Sequence, residues 1–428
     1  MVLVNAKDEN GAGADDIAAA QPVRSLAYFA GDATNPTVRL RISSFLRENI
    51  EVTGFTFRRD KFHSEFVPFW ENVALGNTQD RQYFSRLTVI FGALRKLWRH
   101  RAQLRRVDVL YARLFDSAFL ALLMKKFLRL DAKLVYEIED VHDVFFRNTL
   151  AARVMRFLER RILASADLVV LPSPGFAEGY LVPHQGYDRP YFLLENRIQL
   201  KEVPARNAPP SEQAQAWKKN TDRWVIGWFG TLRCRKSMQL LSEIAERLGD
   251  KVLIYTRGFP TETGFDAYME IVDRHDNWVH EGPYLMPDDL EDLYGQVHFV
   301  WCLDFYDENG NSELLLACRM YHGGYFGAVP LFTAQSQMAR HLAPHAIGHA
   351  MTDPYVDAVC DLLETMSWEQ YCHERTAILD RRDDLFLEDG SGTKALLLRI
   401  SEAGLSPDRE PDEPGADAVG SQMRAQQG

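Results

Sequence analysis

Residues 224–248 read WVIGWFGTLRCRKSMQLLSEIAERL. Seven β-rich apolar residues close on Gly230, and Met238, Leu241, Ile244, Ala245 and Leu248 then recur at helical spacing. A strand that turns on glycine into an amphipathic helix is one β–α unit, so its neighbours decide the fold. Downstream lie KVLIYTR, NWVHEG, HFVWCLD and AVPLFTA, each a helix-length segment from the next. Upstream lie RSLAYFA, EVTGFTF, VDVLYAR, KLVYEIE, ADLVVLP and PYFLLEN, again with amphipathic stretches between them. The polar, proline-bearing segment KEVPARNAPPSEQAQAWKKNTD separates the two series. The pattern predicts an α/β chain with two Rossmann-like, doubly wound parallel-sheet domains facing across a cleft, with ligands at the C-terminal ends of the strands. The expected bounds are 22–200 for the first domain, 201–222 for a linker and 223–402 for the second. Residues 1–21 and 403–428 are too poor in large apolar groups to offset ordering entropy and are expected to be disordered.

Composition narrows the function. With 428 residues, 46% apolar and 25% charged, the chain reads as an ordinary globular protein with more than one core. The longest apolar run, AFLALLM at 118–124, stops at Lys125 and Lys126, too short to span a bilayer. The N-terminal residues lack the sections of a signal peptide, so a cytoplasmic location is expected. Five cysteines with no C-x-x-C pair fit neither a disulfide framework nor a zinc site. The net charge of −11 is uneven: residues 22–200 carry 27 Lys and Arg against 19 Asp and Glu, a net of +8, leaving −19 elsewhere. One half is therefore suited to anions. No nucleic-acid reader motif accompanies it, which leaves anionic lipid surfaces and phosphorylated substrates.

Five stretches carry chemistry. After Gly230 and Thr231, the residues Arg233, Arg235 and Lys236 crowd a helix start, either to hold a diphosphate or as a solvated turn. In DENGNSELLLACRMYHGGYFGAVPLF, Asn311 or Ser312 is expected to cap a helix reaching about Tyr321, with Arg319 and His322 on one face. That helix could face phosphate and ribose, or could be a core helix. LVYEIEDVHDVFF gathers Glu137, Glu139, Asp140, His142 and Asp143 at a strand end. Such a group serves acid–base chemistry in a cleft or holds two arginines in place. GDATNPTVRLRISSF places Asp32, Arg39 and Arg41 around a helix beginning near Val38, for an acceptor's phosphate or hydroxyls or as surface charge. Finally, residues 81–106 hold eight cations and no acid, with Phe84, Leu87, Phe91, Leu94 and Trp98 as an apolar stripe facing either lipid or core.

Together, GDATNPTVRLRISSF, EVTGFTFRRDKF, YEIEDVHD, GYDRPYFLLEN, GWFGTLRCRKS and GNSELLLACRMYHGGYFGAVP resemble a GT-B glycosyltransferase of the family 4 kind, nearest the ExoL-like glucosyltransferases of succinoglycan-type exopolysaccharide synthesis. The likeness covers roughly residues 24–400. It implies that the first domain binds the acceptor and the second the nucleotide sugar, UDP-glucose being the expected donor, with no metal requirement and no cofactor. No D-x-D is present. Carried onto this chain, Gly230, Thr231, Arg233, Arg235 and Lys236 look like the diphosphate loop, and Asn311, Ser312, Arg319 and His322 like the second donor wall. Asp140 looks like the catalytic base if the reaction inverts the anomeric centre, with His142 and Glu137 beside it, while Asp32, Arg39 and Arg41 face the acceptor. The implied activity is hexose transfer to a lipid-linked saccharide at the inner membrane surface; alternatives are a silent binding protein of a polysaccharide assembly complex and a nucleotide-sugar epimerase. His322 stands where relatives would carry glutamate. A neutral imidazole accepts one hydrogen bond where a carboxylate takes both from a ribose diol. Either a cationic His322 binds phosphate, or the donor lacks the full diol, as a thymidine-diphosphate sugar does.

Overall fold

The computed structural model describes residues 22–58, 66–77, 92–199, 223–261, 264–307 and 310–403. The expected linker, the expected disordered ends apart from Ala403, and Phe84, Leu87 and Phe91 of the basic stripe lie outside them.

Two parallel sheets form, as the alternating pattern predicts. The first contains β1 (Ser25–Ala30), β2 (Glu51–Arg58), β3 (Glu71–Asn77), β4 (Val109–Arg113), β5 (Lys133–Glu137), β6 (Leu168–Leu171) and β7 (Phe192–Leu193), in the order β3-β2-β1-β4-β5-β6-β7. Alternation along each strand divides the side chains between two cores. Ala27, Phe29, Leu110, Ala112, Leu134 and Tyr136 face one layer, while Leu26, Tyr28, Val109, Tyr111 and Val135 face the other. The helices here are α1 (Pro36–Arg47), α2 (Phe115–Leu128) and α3 (Leu150–Ser165). Proline at the first position of α1 costs no hydrogen bond, and Asn35 caps it by accepting from the Thr37 amide at 2.9 Å.

A two-residue strand, β8 (Ile198–Gln199), leads towards the second sheet. There, β9 (Trp224–Leu232), β10 (Val252–Pro260), β11 (Trp278–His280), β12 (Phe299–Trp301), β13 (Val329–Thr333) and β14 (His349–Met351) run in the order β11-β10-β9-β12-β13-β14. Helix α4 (Arg235–Leu248) buries Met238, Leu241, Ile244, Ala245 and Leu248, the stripe read from the sequence. Helix α5 (Cys318–Tyr325) carries the paired glycines of HGG. They are a packing device: a Cβ on Gly323 would lie 2.6 Å from Val300, and one on Gly324 2.5 Å from Phe386.

The structure corrects several expectations. Strand β9 runs two residues past Gly230 because β10 pairs with it as far as Leu232. The helix expected over 311–321 is broken: a single turn at Asn311–Leu314 precedes α5, the intervening backbone is extended from Leu315, and the cap position is Gly310. The assignment of residues 391–402 to the second domain is also corrected. After β15 (Leu387–Glu388) pairs with β8, helix α6 (Ser391–Glu402) returns to the first sheet. Leu396 and Ile400 join the core of Leu26 and Tyr28, and Lys133 donates to the Ile400 and Ser401 carbonyls. In the basic segment, Ala93 and Leu97 are buried and Leu94 is half-buried, whereas Trp98 points outward. The stripe expected to join Leu94 to Trp98 is therefore split between core and surface.

Candidate active site

In each sheet the order reverses beside one strand, and the loops after the flanking strands diverge to leave a crevice. In the second sheet the reversal falls between β9 and β12, so residues 233–234 and 302–307 form its walls. Arg233 reaches Asp304 at 3.9 Å and stacks over the Tyr306 ring at 4.4 Å. Lys236 lies 4.3 Å from the Phe305 ring centroid. Arg235 and Lys236 occupy the first turn of α4, where the helix dipole disfavours cations by a few tenths to about 1 kcal/mol each at exposed sites. An anion placed there would relieve both. Gly230 sits on the crevice with φ +104°, facing Gly258 on β10. Gly258 has φ +130°, and a Cβ there would lie 1.8 Å from the Gly230 carbonyl oxygen. This glycine pair brings the two backbones together, while Thr231 next to it is exposed.

Arg319 on α5 points at the same crevice from the other side. It donates a long 3.5 Å bond to the Trp301 carbonyl, and its charge acts on the Tyr284 and Tyr294 phenols. A Cβ on Gly230 would lie 3.9 Å from the Tyr284 hydroxyl, so Gly230, Tyr284 and Arg319 form one wall. His322 follows one turn later, 5% exposed and edge-on to Tyr294. Burial pushes its imidazole down to about 4. Burial thus favours the neutral ring and weighs against the cationic histidine.

The first sheet presents carboxylates instead. Burial alone would lift the Glu137 carboxyl, but Arg41 and Arg113 outweigh it and hold it below the usual carboxylate range. One oxygen accepts from Arg41 at 2.9 Å; the other accepts from the Tyr111 hydroxyl at 2.9 Å and lies 3.8 Å from Arg113. Glu139 pairs with Arg113 at 2.5 Å and accepts from Thr37 at the start of α1 at 2.9 Å. Glu137 as a catalytic group and Arg41 as an acceptor ligand are thereby corrected. Both are buried, and each occupies the other. Asp32 is turned on its own loop, accepting from the Thr34 amide and hydroxyl at 2.9 Å, and Arg39 lies over the Phe66 ring at 4.8 Å.

Beyond this braced end the chain reaches open cleft. Asp140 and His142 are solvent-exposed. The protein mass around Asp140 lifts its carboxyl, with His142 and Arg233 pulling it down and Asp307 pushing it up. Two of those neighbours, Arg233 and Asp307, belong to loops of the second lobe. Asp140 therefore stands across the cleft from the cationic loop.

The lobes touch through the turn at 311–314. Asn311, expected as a donor ligand, accepts the Val141 amide at 3.3 Å, fixing the residue next to Asp140. Ser312 accepts the Asp307 amide at 3.1 Å. The Leu314 carbonyl accepts from Ser173 at 2.5 Å, and the Leu314 side chain fills space that a Cβ on Gly179 would enter. Arg113, Tyr284 and Asp307 were missed from sequence. The first could have been found as a charged residue ending an apolar strand, VLYAR; the other two had no distinguishing local pattern.

Comparison with known proteins bears on this geometry. Residues 40–192 match the family described as Glycosyl transferase 4-like domain. The succinoglycan biosynthesis protein ExoL of Rhizobium meliloti is 30% identical over 375 residues, covering 84% of this chain and 91% of that protein. The sucrose-phosphate synthase of Thermosynechococcus elongatus has a similar fold, with TM-score 0.69, 14% identity and coverage of 90% and 100% of the two chains. Anabaena HepE in complex with UDP and glucose superposes with TM-score 0.61 at 12% identity, covering 87% and 98%. With its two Rossmann-like sheets and this relationship to ExoL, the chain belongs to the GT-B glycosyltransferases of the family 4-like kind.

Proposed function

We propose that this chain transfers a hexose from a nucleotide-diphosphate sugar, UDP-glucose in the first instance, to a lipid-linked oligosaccharide in exopolysaccharide biosynthesis. The observation that carries the reading is Asp140, a solvent-open carboxylate of the first lobe that faces Arg233 of the second. Kinship to ExoL supports the pathway class, and the UDP and glucose held by HepE support the donor class.

In this reading Arg233, Arg235 and Lys236 take the diphosphate, and the Gly230–Gly258 pair lets it approach the backbone. Arg319 and the neutral His322 hold the nucleoside side. The acceptor hydroxyl attacks the anomeric carbon as the bond from that carbon to the diphosphate oxygen breaks. Its proton passes to the Asp140 carboxylate, and the nucleoside diphosphate leaves. A carboxyl whose proton affinity is raised by its surroundings is a better base than an ordinary one. Asn311 positions this base through the Val141 amide.

A panel of UDP-, dTDP-, GDP- and ADP-sugars, assayed with and without lipid-linked acceptors, tests the reading. Transfer from one nucleotide sugar that requires the acceptor is expected. Tight nucleotide-sugar binding without transfer to any acceptor would instead establish a binding protein, and interconversion of the sugar with no acceptor would establish an epimerase.

A further inference from the structure

Helix α3 is unusual in what it buries. Its sole acid, Glu159, points inward, where the Tyr136 and Tyr180 hydroxyls and the Gln185 amide donate to it. Its outward face carries Leu150, Val154 and Phe157, at i, i+4 and i+7, and these are 78%, 51% and 49% exposed. Around them stand Arg153, Arg160 and Arg161, all exposed, with the Arg161 guanidinium over the Phe157 ring at 5.0 Å. The pattern continues next door. Helix α2 packs against α3 and ends in Lys126, the 78% exposed Phe127 and Arg129. Phe127 meets the outward Trp98 edge-on at 5.9 Å, and Arg101 lies over that indole at 5.5 Å. Two exposed apolar groups, each with a stacked guanidinium, thus sit on neighbouring helical segments of one lobe.

We infer that this face of α2, α3 and the helical segment at 92–99 docks on an anionic bilayer. Charge complementarity supports this: α3 presents no exposed carboxylate, the first lobe has a net positive charge, and the remainder is strongly negative. An anionic surface therefore attracts this face and repels the second lobe. Aromatic and aliphatic tips enter the headgroup boundary while the arginines stay level with the phosphates. The chain passes from Asp140 through one turn at Asp143–Phe145 into α3, so docking brings the base close to the surface from which a lipid-linked acceptor would rise. The inference rests on the proposed acceptor for its purpose, but the surface itself can be tested without it.

The full chain is floated with vesicles of pure phosphatidylcholine and with vesicles containing one-third phosphatidylglycerol, neither holding a saccharide-linked lipid. Binding to the anionic vesicles, weakened by salt, is expected. Arg153→Glu with Arg160→Glu should weaken it roughly fivefold or more per cation removed, and Val154→Ser with Phe157→Ser about tenfold. Phe265→Ser, an exposed apolar residue of the second lobe, should change nothing. Equal flotation with both vesicle types, no flotation, or full binding by both double variants would overturn the inference. Binding only to a protein partner would do so too. The two readings separate cleanly. Transfer to a lipid-linked acceptor in detergent by a chain that never floats would remove the surface and keep the acceptor. Flotation by a chain equally active on water-soluble acceptors would keep the surface and remove the acceptor.

Discussion

The two walls of the cleft are made in opposite ways. The first sheet ends in carboxylates wired to buried arginines: Glu137 to Arg41 and Arg113, and Glu139 to Arg113 and Thr37. The second ends in glycines and places its cations beyond them, at a helix start that would not ordinarily favour positive charge. One wall is completed by its own charges. The other carries its cations at the mouth of the crevice. Glu137 and Asp140 stand three positions apart in the chain, one buried and paired, the other open to solvent.

The largest effect is expected where the two walls meet. Asp140→Asn should lower turnover by about 10²- to 10⁴-fold while leaving nucleotide-sugar binding by calorimetry unchanged. Because its carboxyl is raised, wild-type kcat/KM should fall as pH drops through that raised value, and the residual rate of the variant should not follow. Full activity in Asp140→Asn would remove the base from the first wall.

Breaking the braced wall should cost stability rather than chemistry alone. Glu137→Ala leaves Arg41 and Arg113 with one fewer buried partner and should destabilise the chain by roughly 3–5 kcal/mol in urea titrations. The Glu137 carboxyl is held low, so its contribution is present above the ordinary carboxylate pKa and is lost as pH falls through the depressed value. A Glu137→Ala variant as stable as wild type at pH 7, yet inactive, would mean that the group belongs to the cleft after all.

The smallest effect concerns His322. With a folded value of about 4 against an ordinary 6.5, the native ring resists protonation. Stability should therefore decline by up to about 3 kcal/mol as pH falls from 6.5 to 4, relative to His322→Gln, and should be flat above 6.5. Nucleotide-sugar affinity should likewise be flat between pH 6 and 8. A steady loss of affinity across that range would restore the cationic, phosphate-holding histidine.

The sequence made the sheets legible because strands buried on both faces are written as continuous apolar runs. Strand β3 was missed because ENVALGN is half-exposed and carries no such run. The stripe of α4 was readable for the same periodic reason. At the site, the gathering of acids after β5 could be seen, but which acid is buried could not. That depends on Arg41 and Arg113, which arrive from elements 96 and 24 residues earlier in the chain. Asn311 was legible as a polar helix-start residue, but its contact with Val141, 170 residues away, is recorded in no local pattern.

The return of α6 to the first lobe has a consequence for biosynthesis. Leu396 and Ile400 complete a layer that begins with Leu26 and Tyr28. A chain emerging from the ribosome presents the first sheet and α1 long before α6 exists, so the part of that face covered by Leu396 and Ile400 stays open while the second lobe is made. The first lobe is the earliest to be synthesised and among the last to be closed.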